Sequence, residues 1–253
     1  MKTVIGRSGL DPGDGPLVVA VGVFDGLHRG HAYLLDRLVR EARARTARPS
    51  VLTFDAHPDA VLLGHAPPLL MDPDERLERL ASTGVEVLVV EHFDGVLRRT
   101  PYDAFLHGIS ERCRLAALLM TPDAAFGHRR GGTPATLLAL GEREGFAVVV
   151  VPAFALDGRE VRSSDIRSAI SAGDLAMAQR LLGRPYSLTG EIDASGQMAF
   201  PMPVALPPAG DWPVTLERRP ATLHIDGAGS LRLEPSSVAT AATAVRVEFR
   251  PTG

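Results

Sequence analysis

The spacing of apolar and polar positions changes period along this chain. Leu17-Val-Val-Ala-Val-Gly-Val23 is an almost unbroken apolar, β-branched run, the pattern of a central parallel strand covered on both faces. Gly22 and Gly26 bracket Phe24-Asp25, where the chain must turn. A helical period follows, with Leu34, Leu35, Leu38, Val39 and Ala42 recurring at three and four between arginines and acids. The alternation then repeats. Runs at 50–54, 84–90, 115–120 and 146–151 read as further strands, and stretches at 74–82, 101–114 and 134–144 as helices. Five such β/α units predict a parallel three-layer α/β domain. Residues 3–16 are turn-rich and read as a lead-in strand or loop. Residues 60–73, rich in Pro67, Pro68, Pro73 and leucine, read as a flap-like loop that either covers a flat aromatic ligand or packs back on the sheet. Beyond Tyr186 the helical period stops. Strand-like runs at 189–192, 222–225, 230–234 and 244–249, separated by turns such as 207–211 and 226–229, predict a small antiparallel barrel or sandwich.

Composition narrows the chemistry. The 253 residues suffice for one large domain or for a large and a small one. Net charge −3 gives no basic footprint for nucleic acid. Lysine occurs once, at Lys2, so a P-loop or Schiff-base chemistry lacks its essential residue. No G-x-G-x-x-G follows a strand, which weakens a dinucleotide-dehydrogenase reading. The one cysteine, Cys113, excludes an internal disulfide and fits a reducing compartment. With no long apolar run and no signal-peptide pattern after Met1, the expectation is a soluble, cytoplasmic protein with no membrane partner.

Three stretches carry candidate chemistry. His28 and His31 lie three apart at the expected start of the first helix. If that first turn is regular, they share one face. Unpaired N–H groups and the positive helix end make an anion site there, and Gly30 lets a ligand approach the backbone. Such a pair could equally be a metal half-site or plain surface, but the strand, the glycines and Asp25 in the same stretch favour a phosphate site. The second stretch, Thr121-Pro-Asp-Ala-Ala-Phe-Gly-His-Arg-Arg-Gly-Gly-Thr133, is polar, glycine-rich and arginine-bearing at a strand carboxyl end, as a phosphate or substrate loop would be. The third, Val161-Arg-Ser-Ser-Asp-Ile-Arg167, opens a helix. Its serines could be caps, or could hold β- and γ-phosphates with Arg167. His57-Pro58 after the second strand could be a plain turn histidine.

Gly22-Val-Phe-Asp-Gly-Leu-His-Arg-Gly-His31 resembles the signature of the HxGH nucleotidyltransferases, and in fuller form the FMN adenylyltransferase module of bacterial FAD synthetase. The resemblance implies a Rossmann-like parallel-sheet nucleotidyltransferase domain at 1–186 and a riboflavin-kinase-derived β-barrel at 187–253. It implies that His28 and His31 stabilise the α-phosphate transition state. Gly22, Phe24, Asp25, Gly26 and Gly30 would shape the ATP pocket, and Ser163, Ser164 and Arg167, matching the second motif of the superfamily, would hold the leaving pyrophosphate. His57 and Pro58 would lie near flavin and nucleotide. Asp123, Phe126 and Arg130 match the family's substrate loop. Thr121 and Ala124 depart from it, standing for a glycine and an aromatic, and in the second motif Arg162 replaces a serine, an arginine that either adds a phosphate contact or points to solvent. The implied reaction joins AMP from ATP to FMN, with Mg²⁺ accompanying ATP and no dedicated protein metal site. Another phosphate acceptor, or a non-catalytic flavin- or nucleotide-binding regulator, are the alternatives. The kinase hallmark aligns with Ala199-Phe-Pro-Met-Pro-Val204, where Met202 and Val204 replace the threonine and asparagine that serve Mg-ATP. Riboflavin kinase activity is therefore expected to be absent.

Overall fold

The computed structural model describes residues 1–234 and 243–250, so positions 235–242 and 251–253 of the expected 187–253 barrel lie outside the described residues. Contacts divide the chain into two compact units, one of Met1–Phe24, Gly30–Pro67 and Leu77–Ala155, the other of Asp25–Arg29, Pro68–Arg76 and Leu156–Gly253.

The first unit is built on a six-stranded parallel sheet. Its strands are β1 (Lys2–Ile5), β2 (Leu17–Val21), β3 (Arg48–Phe54), β4 (Val87–Glu91), β5 (Leu115–Met120) and β6 (Ala147–Val150), in the order β1-β4-β3-β2-β5-β6. The lead-in is thus a strand, pairing Lys2 with Val87 and Ile5 with Val90 at the sheet edge. Helices α1 (Arg29–Ala44), α2 (Asp59–Leu62), α3 (Pro73–Ala81), α4 (Gly95–Arg99), α5 (Tyr102–Ser110) and α6 (Pro134–Glu144) connect the strands. The expected helix at 101–114 is shorter, and α4 precedes it because Asp94 caps the N–H groups of Val96 and Leu97. Leu17, Val18 and Ala20 are fully buried, as a central strand requires. Strand order reverses direction between β2 and β5, and open α/β sheets bind ligands at the carboxyl ends beside such a switch. Gly22–Phe24 and the 121–133 loop follow those two strands.

A short β7–β8 hairpin (Ala155–Leu156, Arg159–Glu160) leads to α7 (Ser163–Ser171) and α8 (Leu175–Leu182). The barrel strands β9 (Ser187–Ile192), β10 (Gln197–Ala199), β11 (Gly210–Leu216), β12 (Arg219–Ile225), β13 (Leu231–Glu234) and β14 (Thr243–Phe249) close in the order β10-β13-β12-β11-β14-β9. Closure leaves no open sheet edge. β10 and β11 have no counterpart among the runs expected from the sequence. β11 takes in Gly210 and Asp211, read above as turn, because Val214 and Leu216 bury a face against the barrel interior while Pro213 stays exposed. Ile166, Ile170, Leu175, Ala178 and Leu182 share one core with Tyr186, Val214, Leu223 and Phe249. Part of the expected flap belongs here too. Leu69 N–H donates to Pro203 O and Ala205 N–H to Leu69 O, each at 2.8 Å, and Leu69, Leu70 and Met71 are buried. Leu70 lies in the core of the barrel unit.

Candidate active site

In the second unit, residues 25–28 form a tight left-handed turn. Gly26 has φ 76° and Leu27 φ 37°, and α1 begins only at Arg29. His28 therefore precedes the helix instead of sharing a regular first turn with His31, because two successive positive-φ residues cannot continue a right-handed helix. Around this turn the fold gathers charge. Asp25 is 3 % exposed. Its carboxylate accepts the Leu70 N–H at 3.1 Å and pairs with Arg167 Nη2 at 2.5 Å. Arg167 Nε donates to Pro68 O at 2.7 Å, and Ser163 Oγ donates to Asp25 O at 3.2 Å. Asp25 thus orients Arg167, a link between residues far apart in sequence that the motifs did not indicate.

The serines are not caps. Arg162 occupies the cap position of α7 without a side-chain bond, and Ser163 and Ser164 are its first two helical residues. Ser164 stays exposed at the helix start, where the backbone N–H groups and dipole favour an anion. The Arg162 side chain pairs with Glu160 and is 56 % exposed.

His28 is 5 % exposed. Burial, then the charges of Arg184 and Arg167, push its imidazole down to about 4, because each disfavours the cation. It is a neutral ring at pH 7, still able to donate one N–H. Arg184, to which the sequence reading gave no role, donates to Gly26 O at 2.8 Å and Leu27 O at 3.4 Å. Its only sequence signal is its place directly after the helix-stopping Gly183.

In the first unit, Gly22 lies close against the Phe24 ring, which a Cβ at that position would approach to 3.1 Å. Phe24 is buried at φ 55° and its ring packs on the His31 imidazole at 5.1 Å between centroids. Gly30 and His31 are partly exposed in the first turn of α1. His57 Nδ1 accepts the Asp59 N–H at 3.2 Å, and with Pro58 it forms the turn after β3, half-buried. Asp123 is exposed, accepting from Thr121 Oγ1 at 2.8 Å and receiving Arg130 Nη2 on its carbonyl at 3.4 Å. Phe126 packs on Phe105 at 5.6 Å, and Ala124 is only partly buried against the same core. Gly132 is required there because a Cβ would stand 2.7 Å from Tyr102 Cβ.

Asp55 and His92, given no role by the sequence, end β3 and β4 and pair at 2.5 Å. Burial works to raise the Asp55 carboxyl, but hydrogen bonds from His92 and Phe93 outweigh it and hold the group low. The same hydrogen bond, with the carboxylate charge, raises His92. Nothing in sequence joins residues so far apart.

Within the second unit, the turn and α7 offer the His28 imidazole, a helix start bearing hydroxyls and a positioned guanidinium, a set suited to a polyphosphate. The description "FAD synthetase" belongs to the family model that matches residues 11–165. A bifunctional riboflavin kinase/FMN adenylyltransferase of Haemophilus influenzae is 32 % identical over 176 residues, covering 69 % of this chain and 57 % of that protein. The enzyme of the same name from Escherichia coli K12 is 31 % identical over 177 residues, 69 % of this chain and 56 % of its own. The chain thus spans little more than half the length of these relatives. Among solved structures, one titled as a macrolide-efflux protein from Streptococcus pneumoniae superposes with a TM-score of 0.79 at 20 % identity, covering 98 % of this chain and 89 % of that one; it speaks for the fold alone. With the motif stretch, the Arg167 helix and the parallel sheet all lying within or beside the matched span, the chain belongs to the FAD synthetase family.

Proposed function

We propose that this protein is an FMN adenylyltransferase, converting ATP and FMN to FAD and pyrophosphate, without riboflavin kinase activity. The observation that carries the reading is the assembly of His28, Ser163 and the Asp25-anchored Arg167 about one turn and one helix start. An FMN phosphate oxygen attacks the α-phosphorus of ATP, the bond to the bridging oxygen breaks, and pyrophosphate leaves. The nucleophile is already ionised, so no general base is needed. His28 and His31 donate N–H groups to the α-phosphoryl oxygens as charge builds on them. Arg167, Ser163 and Ser164 receive the leaving pyrophosphate, while Gly22, Phe24, Asp25, Gly26 and Gly30 shape the nucleotide pocket. His57, Pro58, Asp123, Phe126 and Arg130 contact the acceptor. Mg²⁺ enters with ATP as part of the substrate, held by phosphate oxygens and water.

Residues 1–186 are the transferase domain and 187–253 the kinase-derived barrel in this reading, acting in the cytoplasm. Val204 supports loss of the kinase: it packs on the barrel core and bridges Leu69, a position for a hydrocarbon and not for a cation ligand. Ala124, where relatives of the motif carry an aromatic ring, favours as second reading a different phosphate acceptor.

The test incubates purified protein with Mg-ATP and either FMN or riboflavin, separating flavins and measuring pyrophosphate. FAD from FMN and no FMN from riboflavin is the expected outcome, and His31→Ala should abolish most of it with the fold retained. Pyrophosphate release only with another phosphate compound would keep the chemistry and replace the acceptor. Bound flavin with no turnover would make the protein a binder.

A further inference from the structure

The turn that carries His28 is held from outside by a residue that the transferase reading leaves unassigned. Helix α8 ends at Gly183, in the left-handed region at φ 79°, with its N–H on Gln179 O at 2.8 Å. The positive φ favours glycine at 183, and a Cβ there would crowd Arg29 Cγ at 3.0 Å in the segment beside His28. The next residue is Arg184. Its guanidinium forks onto the two successive carbonyls of Gly26 and Leu27 at 2.8 and 3.4 Å. We infer that Arg184 is a positioning residue of the transferase reaction, its fork holding the Gly26–Leu27 backbone and thereby fixing where the His28 imidazole stands.

The physical need is visible in the backbone. Leu27, a branched residue at φ 37°, is strained relative to a relaxed conformation. Such a residue persists only where its surroundings over-determine it. Gly26 is walled in by Leu70 and Leu182, and Arg184 supplies the polar half of the restraint. A planar fork can satisfy two neighbouring carbonyls at once; a lysine ammonium offers no such matched pair. Charged groups facing His28 are the cations of Arg184 and Arg167, with Asp25 neutralising the second. Arg184 therefore does two separable things, shaping the turn and adding positive charge beside a neutral ring.

The inference rests on the proposed adenylyl transfer for its effect on turnover, and on geometry alone for its effect on the turn. Wild type, Arg184→Lys and Arg184→Met are compared by steady-state kinetics, by amide hydrogen exchange over 26–28 and by NMR titration of His28. Loss of the fork should lower kcat about tenfold to a hundredfold in both variants, as a small misplacement of a reacting group does. KM for ATP should move less than about threefold, and exchange at the turn amides should speed by at least about tenfold. The His28 midpoint should stay low in Arg184→Lys, which keeps the charge, and rise in Arg184→Met. Wild-type kcat and exchange in both variants would overturn the inference. So would a raised KM with kcat intact, which would make Arg184 a phosphate contact. If Arg184→Met does not fold, Arg184→Lys decides. If the wild type makes no FAD, the adenylyltransferase reading fails, and exchange in Arg184→Lys still decides for or against the positioning role.

Discussion

Gly26 is the residue on which the turn depends most. Its φ of 76° is costly for any side chain, and a Cβ there would sit 2.9 Å from Leu70 Cδ1 and 3.0 Å from Leu70 Cβ. Both penalties act together, so Gly26→Ala should lower stability by about 1–3 kcal/mol. Urea denaturation measures it, and an unchanged midpoint would contradict the packing described. His28 gives a pH signature. Its folded value of about 4 lies below the 6.5 of a free imidazole, so as pH falls the unfolded chain takes up the proton first. The stability tied to the neutral ring is complete above pH 6.5 and is lost as pH drops from there to about 4, a loss of about 3 kcal/mol. His28→Asn should flatten that limb when denaturation midpoints are compared at neutral and acidic pH. Parallel pH profiles in the two proteins would mean that the ring is not buried as described.

At the scale of elements, Asp25 ties the turn to α7 and to the 68–71 segment. One carboxylate accepts the Leu70 N–H and pairs with Arg167, with Asp25 and Arg167 side chains 4 % and 18 % exposed. Asp25→Asn keeps an acceptor for Leu70 but leaves Arg167 without its counter-charge. Because the arginine retains some access to water, the cost should be about 2 kcal/mol, below that of a fully buried broken pair. Turnover should fall in the same variant, since Arg167 loses its orientation. A variant as stable and as active as wild type would remove Asp25 from this role. The element also explains why the serines of α7 are not spent as caps: with Arg162 at the cap position, Ser163 and Ser164 fall one step inside the helix, where N–H groups and hydroxyls lie together.

At the scale of the whole molecule, the sequence division at 186 does not coincide with the packing of the second unit. Leu70, Ile166, Ile170, Leu175 and Leu182 share their core with barrel residues such as Leu188, Val214 and Phe249. Deleting 187–253 would bare these side chains, each worth about 1.5–3 kcal/mol of burial. The 1–186 fragment should therefore lose cooperative unfolding or aggregate, as circular dichroism and light scattering would report. A monomeric fragment with a sharp thermal transition would show the barrel to be dispensable for folding.

The sequence by itself determined the alternation of β and α elements, the parallel sheet, the change to a barrel after Tyr186 and the motif residues His28, His31, Ser163 and Arg167, because hydrophobic period and short-range motif are local properties. It did not determine β11, whose Trp212-Pro213 breaks the usual strand pattern until Val214 and Leu216 find a barrel interior. Only the tertiary structure decided that Asp25 holds Arg167, that Arg184 holds the turn and that Asp55 meets His92. Each joins residues distant in sequence, and the hydrogen bonds and charges concerned exist only once burial has brought them within reach.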